Sequence, residues 1–477
     1  MFTFFLSLVL LILGYLVYGA FVDKIFKPDD SQSTPAYAMP DGVDYVPIST
    51  PKAFLIQLLN IAGLGPIFGA LSGALWGPAA FLWIVFGCIF AGGVHDYFSG
   101  MLSLRHKGCN VPDIVGQYLG STLKKVMIGF SVILLILVGT VFVSGPAQLL
   151  SILTPESLNF SFWLVIIFCY YFLATILPID QIIGRLYPLF GAVLIFMAIG
   201  VTGGILFKGY QIPELTLANL HPGKLPIWPL MFISIACGAI SGFHATQSPI
   251  MSRCIKKETD GRKVFYGAMI AEGVIALIWA AAGMAFYNGT PGLAEAIKAG
   301  GPGGVVHEIS TNLLGAIGGV LAVIGVVVCP ITSGDTAFRA ARMTIADTFN
   351  FGQKPISNRL YIAVPLFIIG AILSQINFNI VWRYFAWTNQ TLAMIVLWAA
   401  AVYLVKKRLP HWIATVPATF MSAVSVTYIL QAPEGFKLST SISYPIGIIS
   451  ALVLFGVFLS FVIKNNNTGA TNKQVSG

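Results

Sequence analysis

About thirteen apolar runs, most of them near 20 residues long, divide this chain: 2–21, 53–75, 79–103, 124–150, 161–178, 183–207, 226–248, 261–286, 314–336, 357–375, 381–405, 410–431 and 442–464. That length crosses the hydrocarbon core of a bilayer. Lipid offers no partner to a bare peptide group, so each run must close its backbone hydrogen bonds internally, as a helix. The pattern predicts an all-α polytopic membrane protein with about 13 transmembrane helices. No interval between the runs is long enough to build a soluble domain. Of 477 residues, 57% are hydrophobic and only 9% charged, against roughly 25% charged in ordinary soluble domains.

A net charge of +9 would suit nucleic acid or another anionic partner, but its distribution points to membrane topology. The odd-numbered connections and the C-terminal tail carry 22 of the 27 lysines and arginines; the even-numbered ones hold only Lys208, Lys224, Lys298, Arg383 and Lys437. By the positive-inside rule the odd connections are cytoplasmic, the N-terminus is outside and the C-terminus inside. The lipid bilayer is therefore the expected partner, and no nucleic acid is. A cleaved signal peptide fits the first run less well than a retained helix. Met1-Phe2-Thr3 carries no positive side chain, and Lys24 and Lys27 follow the apolar run rather than precede it. The six cysteines, at 88, 109, 169, 237, 254 and 329, have no CxxC or Cys/His spacing typical of zinc. They read as reduced and structural, Cys237 as a small packing residue.

Two runs are broken near the middle by small residues: Asn60-Ile61-Ala62-Gly63-Leu64-Gly65-Pro66 in the second, and Cys237-Gly238-Ala239-Ile240-Ser241-Gly242-Phe243-His244 in the seventh. Orphaned peptide groups at that depth cost several kcal/mol unless a substrate, an ion or water replaces the lost bonds. A matched pair of broken spans points to the binding site of a secondary transporter. Each break opens a set of five spans, 2–6 and 7–11. Five is odd, so the two sets cross in opposite senses, an inverted repeat. The expected divisions are an extra span and cytoplasmic loop at 1–52, a first five-helix repeat at 53–207, a second at 226–405, two further spans at 410–464, and a polar, disordered tail at 465–477. The connection 335–358 reads as a helix extension ending in a turn. The glycine-rich loop 287–313 reads as external, with a short helix near Leu293–Ala299.

The stretches NIAGLGPIFGALSGALWGPAAFLWIVFGCIFAGGVHDYFSGMLSLRHKG (Asn60–Gly108), CGAISGFHATQSPIMSRCIKKETDGR (Cys237–Arg262) and CPITSGDTAFRAARMTIAD (Cys329–Asp347), with the weaker FAWTNQTLA (Phe385–Ala393), resemble the carbon starvation protein A (CstA) family. The resemblance covers roughly residues 50 to 395. It implies a bacterial or archaeal inner-membrane protein with the LeuT-like five-plus-five repeat of the amino acid–polyamine–cation transporters. It also implies proton-coupled import of pyruvate and small peptides during nutrient limitation. This chain is shorter than the best-known members of the family, a difference that bears most on substrate.

At the first break, Gly63 and Gly65 let the chain leave helical geometry and Pro66 begins the next half-helix. Its amides suit a carboxylate, while carbonyls near Asn60–Gly63 suit a cation. Close packing of small residues at Gly65, Gly69 and Gly73 is the competing reading. After Gly242, with Ser241 and Phe243 at the second break, His244, Gln247 and Ser248 share one helix face. His244 is placed to bind a carboxylate or shuttle a proton, or else is a satisfied core histidine. His95-Asp96, with Ser99, lies toward the cytoplasmic end of the third span. Asp96 is read as a proton acceptor, a gate paired with a cytoplasmic arginine, or a structural ion pair. Glu272 lies at mid-depth in the eighth span, as a proton carrier or a protonated packing group. Thr332 and Ser333, with carbonyls near Ala62–Gly65, offer hard oxygen ligands for sodium. Asp335 and Arg339 stand i,i+4, the spacing of a plain helix salt bridge. Trp387, Asn389 and Gln390 read as an interruption of the eleventh span that lines the outer vestibule, closes over substrate or packs between helices.

The leading expectation is a secondary importer of a carboxylate-bearing nutrient lying between the two breaks and coupled to H⁺. Coupling to Na⁺ at Thr332 and Ser333 is the alternative. No cofactor beyond a coupling ion is expected. A nutrient sensor would ordinarily carry an output domain. An intramembrane metalloprotease would carry HExxH spacing, which the sequence lacks, so an enzyme is not expected.

Overall fold

With peptide groups obliged to bond within their own segment, the chain is built from helices. Outside helices and their connections, the described residues add an isolated bridge between Ile48 and Ile255. The structure, a computed structural model, describes residues 1–474 apart from Val43, Leu177 and Pro178; it does not describe the side chains of 179–187 and 466–474.

Eleven of the described helices are long and apolar enough to cross a membrane. Thr50–Ile61 and Gly65–Trp76 form a further span, bent by 58°. Phe160–Ile176, 17 residues long, stands where the sequence predicts the fifth span. The amides of Phe2 and Thr3 donate to Glu214 at 2.8 and 2.9 Å. The start of the first span therefore lies beside the connection between the sixth and seventh, as an even number of crossings requires.

Burial separates the spans into a centre and a periphery. The apolar windows of Ala79–Arg105, Leu230–Ser252, Glu258–Phe286 and Phe378–Lys406 are each 83% buried, against 22% for Ile356–Leu373 and 17% for Thr440–Asn465. The polar residues of the central spans thus face other helices, while the outer spans present isoleucine, leucine and valine outward.

Three expectations are corrected. The eleventh span is one continuous helix, Phe378–Lys406, because Trp387, Asn389 and Gln390 find partners on neighbouring helices without leaving helical geometry. The loop 287–313 is largely helical. A single helical stretch runs Thr290–Thr348 and changes direction at Gly301 (φ 66°) and Gly315 (φ 72°), positive values that glycine adopts freely. The short helix expected near Leu293–Ala299 is its first segment. Finally, the last helix runs on to Gln474, where a disordered tail from Asn465 is expected. Residues 475–477 lie outside the described residues. The extension after the ninth span does end in a turn, at Asn350 with φ 50°.

Candidate functional site

The second break is where the ionisable residues converge. Leu230–Ile235 gives way to a short 3₁₀ turn, and helix resumes at Gly242–Ser252. Ala236 opens the break with φ 46°, a conformation uncommon for a residue bearing a Cβ and one that clusters at functional sites. The third span approaches the break through Gly92, where an added Cβ would lie 2.3 Å from the carbonyl oxygen of Ala239. A π-helical turn at Gly87–Gly92 sits just before His95 and Asp96. One of its carbonyls, Ile89, accepts the Tyr266 hydroxyl at 2.7 Å.

From that approach four side chains form a line. His95 Nδ1 is 2.7 Å from Asp96 Oδ1, Asp96 Oδ2 is 2.8 Å from His244 Nδ1, and His244 Nε2 is 3.2 Å from Glu272 Oε2. All four are fully buried. The last contact is an ion-pair approach rather than an aligned hydrogen bond. The chemistry constrains the protons. An ionised Asp96 accepts from Nδ1 of both imidazoles, which leaves His244 Nε2 and Glu272 to share one proton. Imidazolium beside carboxylate and neutral imidazole beside carboxylic acid both satisfy this arrangement. The two ends of the line, His95 Nε2 and Glu272 Oε1, are sealed from solvent without a hydrogen-bond partner. No group of three or more His, Cys, Asp or Glu among the described residues is arranged to hold a metal ion.

Around this line, Ser99 and Ser248 join hydroxyls at 3.0 Å. Gln247 is buried, its amide nitrogen on Thr246 Oγ1 at 3.1 Å and its oxygen unpartnered. Asp96 pairs with histidines, not with an arginine. The nearby Arg105 instead bonds Glu258 at 3.0 Å and Tyr403 at 2.7 Å. Arg105 closes the same helix, Gly93–Arg105, nine residues after Asp96.

The orphaned backbone of the second break is satisfied by the eleventh span. Asn389 Oδ1 accepts from the Phe243 amide at 2.7 Å and from the Ser241 hydroxyl at 3.0 Å. The Gln390 amide donates to the Ile240 carbonyl at 2.7 Å. Gly242 lies against the backbone of Asn389 and Ala393, and Phe243 packs edge-on against Phe142 at 5.8 Å. Trp387 does not join this group. Its indole donates to the Ser425 carbonyl at 3.2 Å on the twelfth span, and its ring meets Phe130. As part of a continuous helix it points to the opposite side from Asn389 and packs between the helices.

At the first break the donors are hydroxyls. Thr332 and Ser333 both donate to the Leu59 carbonyl, at 2.9 and 3.0 Å. The carbonyl they reach precedes the expected Ala62–Gly65, because the first half-helix ends at Ile61 and Leu59 lies in its final turn. Asn60 beside it is fully buried. Gly63 faces Phe142. An added Cβ on Gly65 would lie 2.3 Å from the Cβ of Cys237. The two breaks are therefore in direct contact, which favours the packing reading of Gly65 and of Cys237. Asp335 accepts from the Tyr170 hydroxyl at 2.9 Å, and Arg339 donates to the Ala174 carbonyl. Gln57, three residues before Asn60 in the first half-helix, escaped the sequence reading. Its amide is fully buried and neither polar atom has a partner. The signal was a lone amide in an apolar run.

The family model described as "Carbon starvation protein CstA" matches residues 1–156 and 147–300. An uncharacterized membrane protein of Haemophilus influenzae is 46% identical over 352 residues, covering 63% of this chain and 95% of its own. A peptide transporter CstA of Helicobacter pylori is 29% identical, covering 56% of this chain and 48% of its own. The pyruvate/proton symporter BtsT of Escherichia coli is 25% identical, covering 56% of this chain and 46% of its own. The chain thus spans about half the length of the last two. Among solved structures, MhsT in complex with L-phenylalanine superposes with a TM-score of 0.55 at 16% identity, covering 88% of this chain and 99% of its own. Mhp1, a nucleobase-cation-symport-1 family transporter, gives 0.55 at 16%, covering 91% and 96%. At such identities the likeness establishes the fold. It is LeuT-like, an inverted five-plus-five repeat with discontinuous second and seventh spans.

Proposed function

Since the chain belongs to the carbon starvation protein CstA family, and is a membrane transporter rather than an enzyme, we propose that it imports a small carboxylate nutrient, pyruvate or a short peptide, by proton symport with alternating access. The observation that carries this reading is the buried line His95–Asp96–His244–Glu272. Glu272 and His244 stand 3.2 Å apart, so a small reorientation of either side chain lets one proton pass between them. His244 belongs to the half-helix that begins at the break, so its charge and the position of that half-helix are linked. The Asn389 carbonyl oxygen on the Phe243 amide occupies the position that a substrate carboxylate takes when it binds the half-helix N-terminus. Binding then consists of displacing Asn389, and a protonated His244 adjacent to that amide favours the incoming negative charge. The protein works in the cytoplasmic membrane with its N-terminus outside and its C-terminus inside, and it serves cells short of carbon.

Sodium coupling is a second reading, favoured by one observation: two hydroxyls converge on a single carbonyl, Leu59, at the first break. Uptake of labelled pyruvate, and separately of a dipeptide, into proteoliposomes under an inward proton or an inward sodium gradient tests both. Accumulation driven by the proton gradient alone, and lost in Glu272→Gln, is the expected result. Accumulation that requires sodium selects the second reading, and no uptake of either compound removes the substrate assignment.

A further inference from the structure

The basic face of the molecule holds a cavity of about 660 Å³ at the ends of the seventh and ninth spans. Six lysines and arginines line it, Arg253, Arg342 and Arg359 among them, together with four aspartates. Three of the guanidinium groups are fixed by uncharged partners. Arg253 Nε donates to the Gly108 carbonyl at 2.9 Å, and the group lies over the Tyr45 ring. Arg359 holds the carbonyls of Gln353 and Ile176, both at 2.7 Å. Arg342 donates from Nη1 to the side chain of Gln353, while its Nε, sealed from solvent, meets no acceptor. Among the described residues none of these three lies within 4.0 Å of a carboxylate. Arg253 and Arg342 are 7% and 5% exposed. Buried charge whose counter-charges, Asp44 and Asp347 here, stand beyond ion-pair distance is only partly compensated. Guanidinium groups already held in place lose little entropy when they grip an anion.

We propose that this cavity is a second ligand site that binds a small monoanionic carboxylate between Arg342 and Arg253. The volume falls in the range of small-molecule pockets. Planar guanidinium groups match a carboxylate two-pronged. The four aspartates leave only a modest positive excess, which suits one negative charge better than a polyphosphate. Arg253 directly follows the half-helix Gly242–Ser252, nine residues beyond His244, or about 13 Å at the helical rise. The site stands independently of the coupling ion, because it is defined by binding alone.

The test is equilibrium binding of labelled acetate to the purified full chain in discs of zwitterionic lipid, with no gradient. Arg342→Gln and Arg253→Gln should each weaken an acetate-binding component about tenfold or more, the worth of a charge-assisted hydrogen bond. Arg342→Lys should fall between them and the wild type, since it keeps a point charge but loses the fork. Thermal unfolding of each variant establishes that it is folded; if Arg342→Gln is not, Arg253→Gln and Arg342→Lys carry the test. Pyruvate should compete with acetate. Unchanged acetate binding in folded Arg253→Gln and Arg342→Lys overturns the proposal. So does displacement by inorganic phosphate at lower concentration than acetate, which would make it a phosphate site. Occupancy seen only in discs of anionic lipid overturns it too, in favour of a headgroup site. Failure of proton-driven uptake leaves this result unaffected, so the two readings fail separately.

Discussion

At the first break the group left without a helical partner is a carbonyl, and it is served by two hydroxyls of the ninth span. At the second there are two: the Phe243 amide, served by the side-chain oxygen of Asn389, and the Ile240 carbonyl, served by the Gln390 amide, both on the eleventh span. The first break is surrounded by backbone, hydroxyls, the buried amides of Gln57 and Asn60, and apolar side chains. The second is flanked by two imidazoles and two carboxylates with no exposure to solvent. Acceptors served by neutral donors suit a cation or simple structural closure. Ionisable groups in a line suit a proton. The inverted repeat therefore places two equivalent backbone irregularities at one depth and gives them different chemical work. The contact between Gly65 and Cys237 joins the two.

That contrast is open to direct attack. The largest effect belongs to the second break. Glu272→Gln or Asp96→Asn should reduce gradient-driven accumulation in proteoliposomes to background, while counterflow exchange of substrate persists. Asn389→Ala comes next. It leaves a buried amide unserved, at a cost of about 1–3 kcal/mol, measured as a lower unfolding midpoint. Gly65→Ala should cost about the same through overpacking. Cys237→Gly should restore part of the loss, and a double-mutant cycle reads out the coupling between the breaks. Smallest is the effect at the hydroxyls of the first break. Thr332→Val should cost about 0.5–1.5 kcal/mol, the net value of a neutral hydrogen bond, and leave the pH dependence of uptake as it was. A Thr332→Val variant that loses proton-driven accumulation as completely as Glu272→Gln would erase the distinction between the breaks.

Most of the architecture was legible because lipid forbids alternatives. Apolar length and lysine and arginine asymmetry leave little choice but a helical bundle, and two glycine-rich interruptions at matched positions mark the repeat. His95, Asp96, His244 and Glu272 were each visible as ionisable residues in apolar runs, since polarity there is expensive. Their assembly into one line was not visible. It depends on how the third and eighth spans lie against the seventh, which no spacing within one segment encodes. The same limit explains the errors. Asn389 and Gln390 look like an interruption along the eleventh span. They are in fact the polar edge of an intact helix whose partners lie about 150 residues earlier in the chain. Trp387, two residues before Asn389, turns to the twelfth span because helical geometry sends neighbours to different faces. Gln57 was lost in its run because a single amide does not alter an apolar pattern.

The central claim is that the proton shared by His244 and Glu272 drives transport. The most direct measurement is proton entry during pyruvate uptake, recorded with a pH-sensitive dye inside proteoliposomes, for the wild type and for Glu272→Gln. The account predicts internal acidification that tracks pyruvate entry in the wild type, and pyruvate exchange without acidification in the variant. Equal acidification in both, or pyruvate accumulation driven by sodium with the proton gradient collapsed, would contradict it.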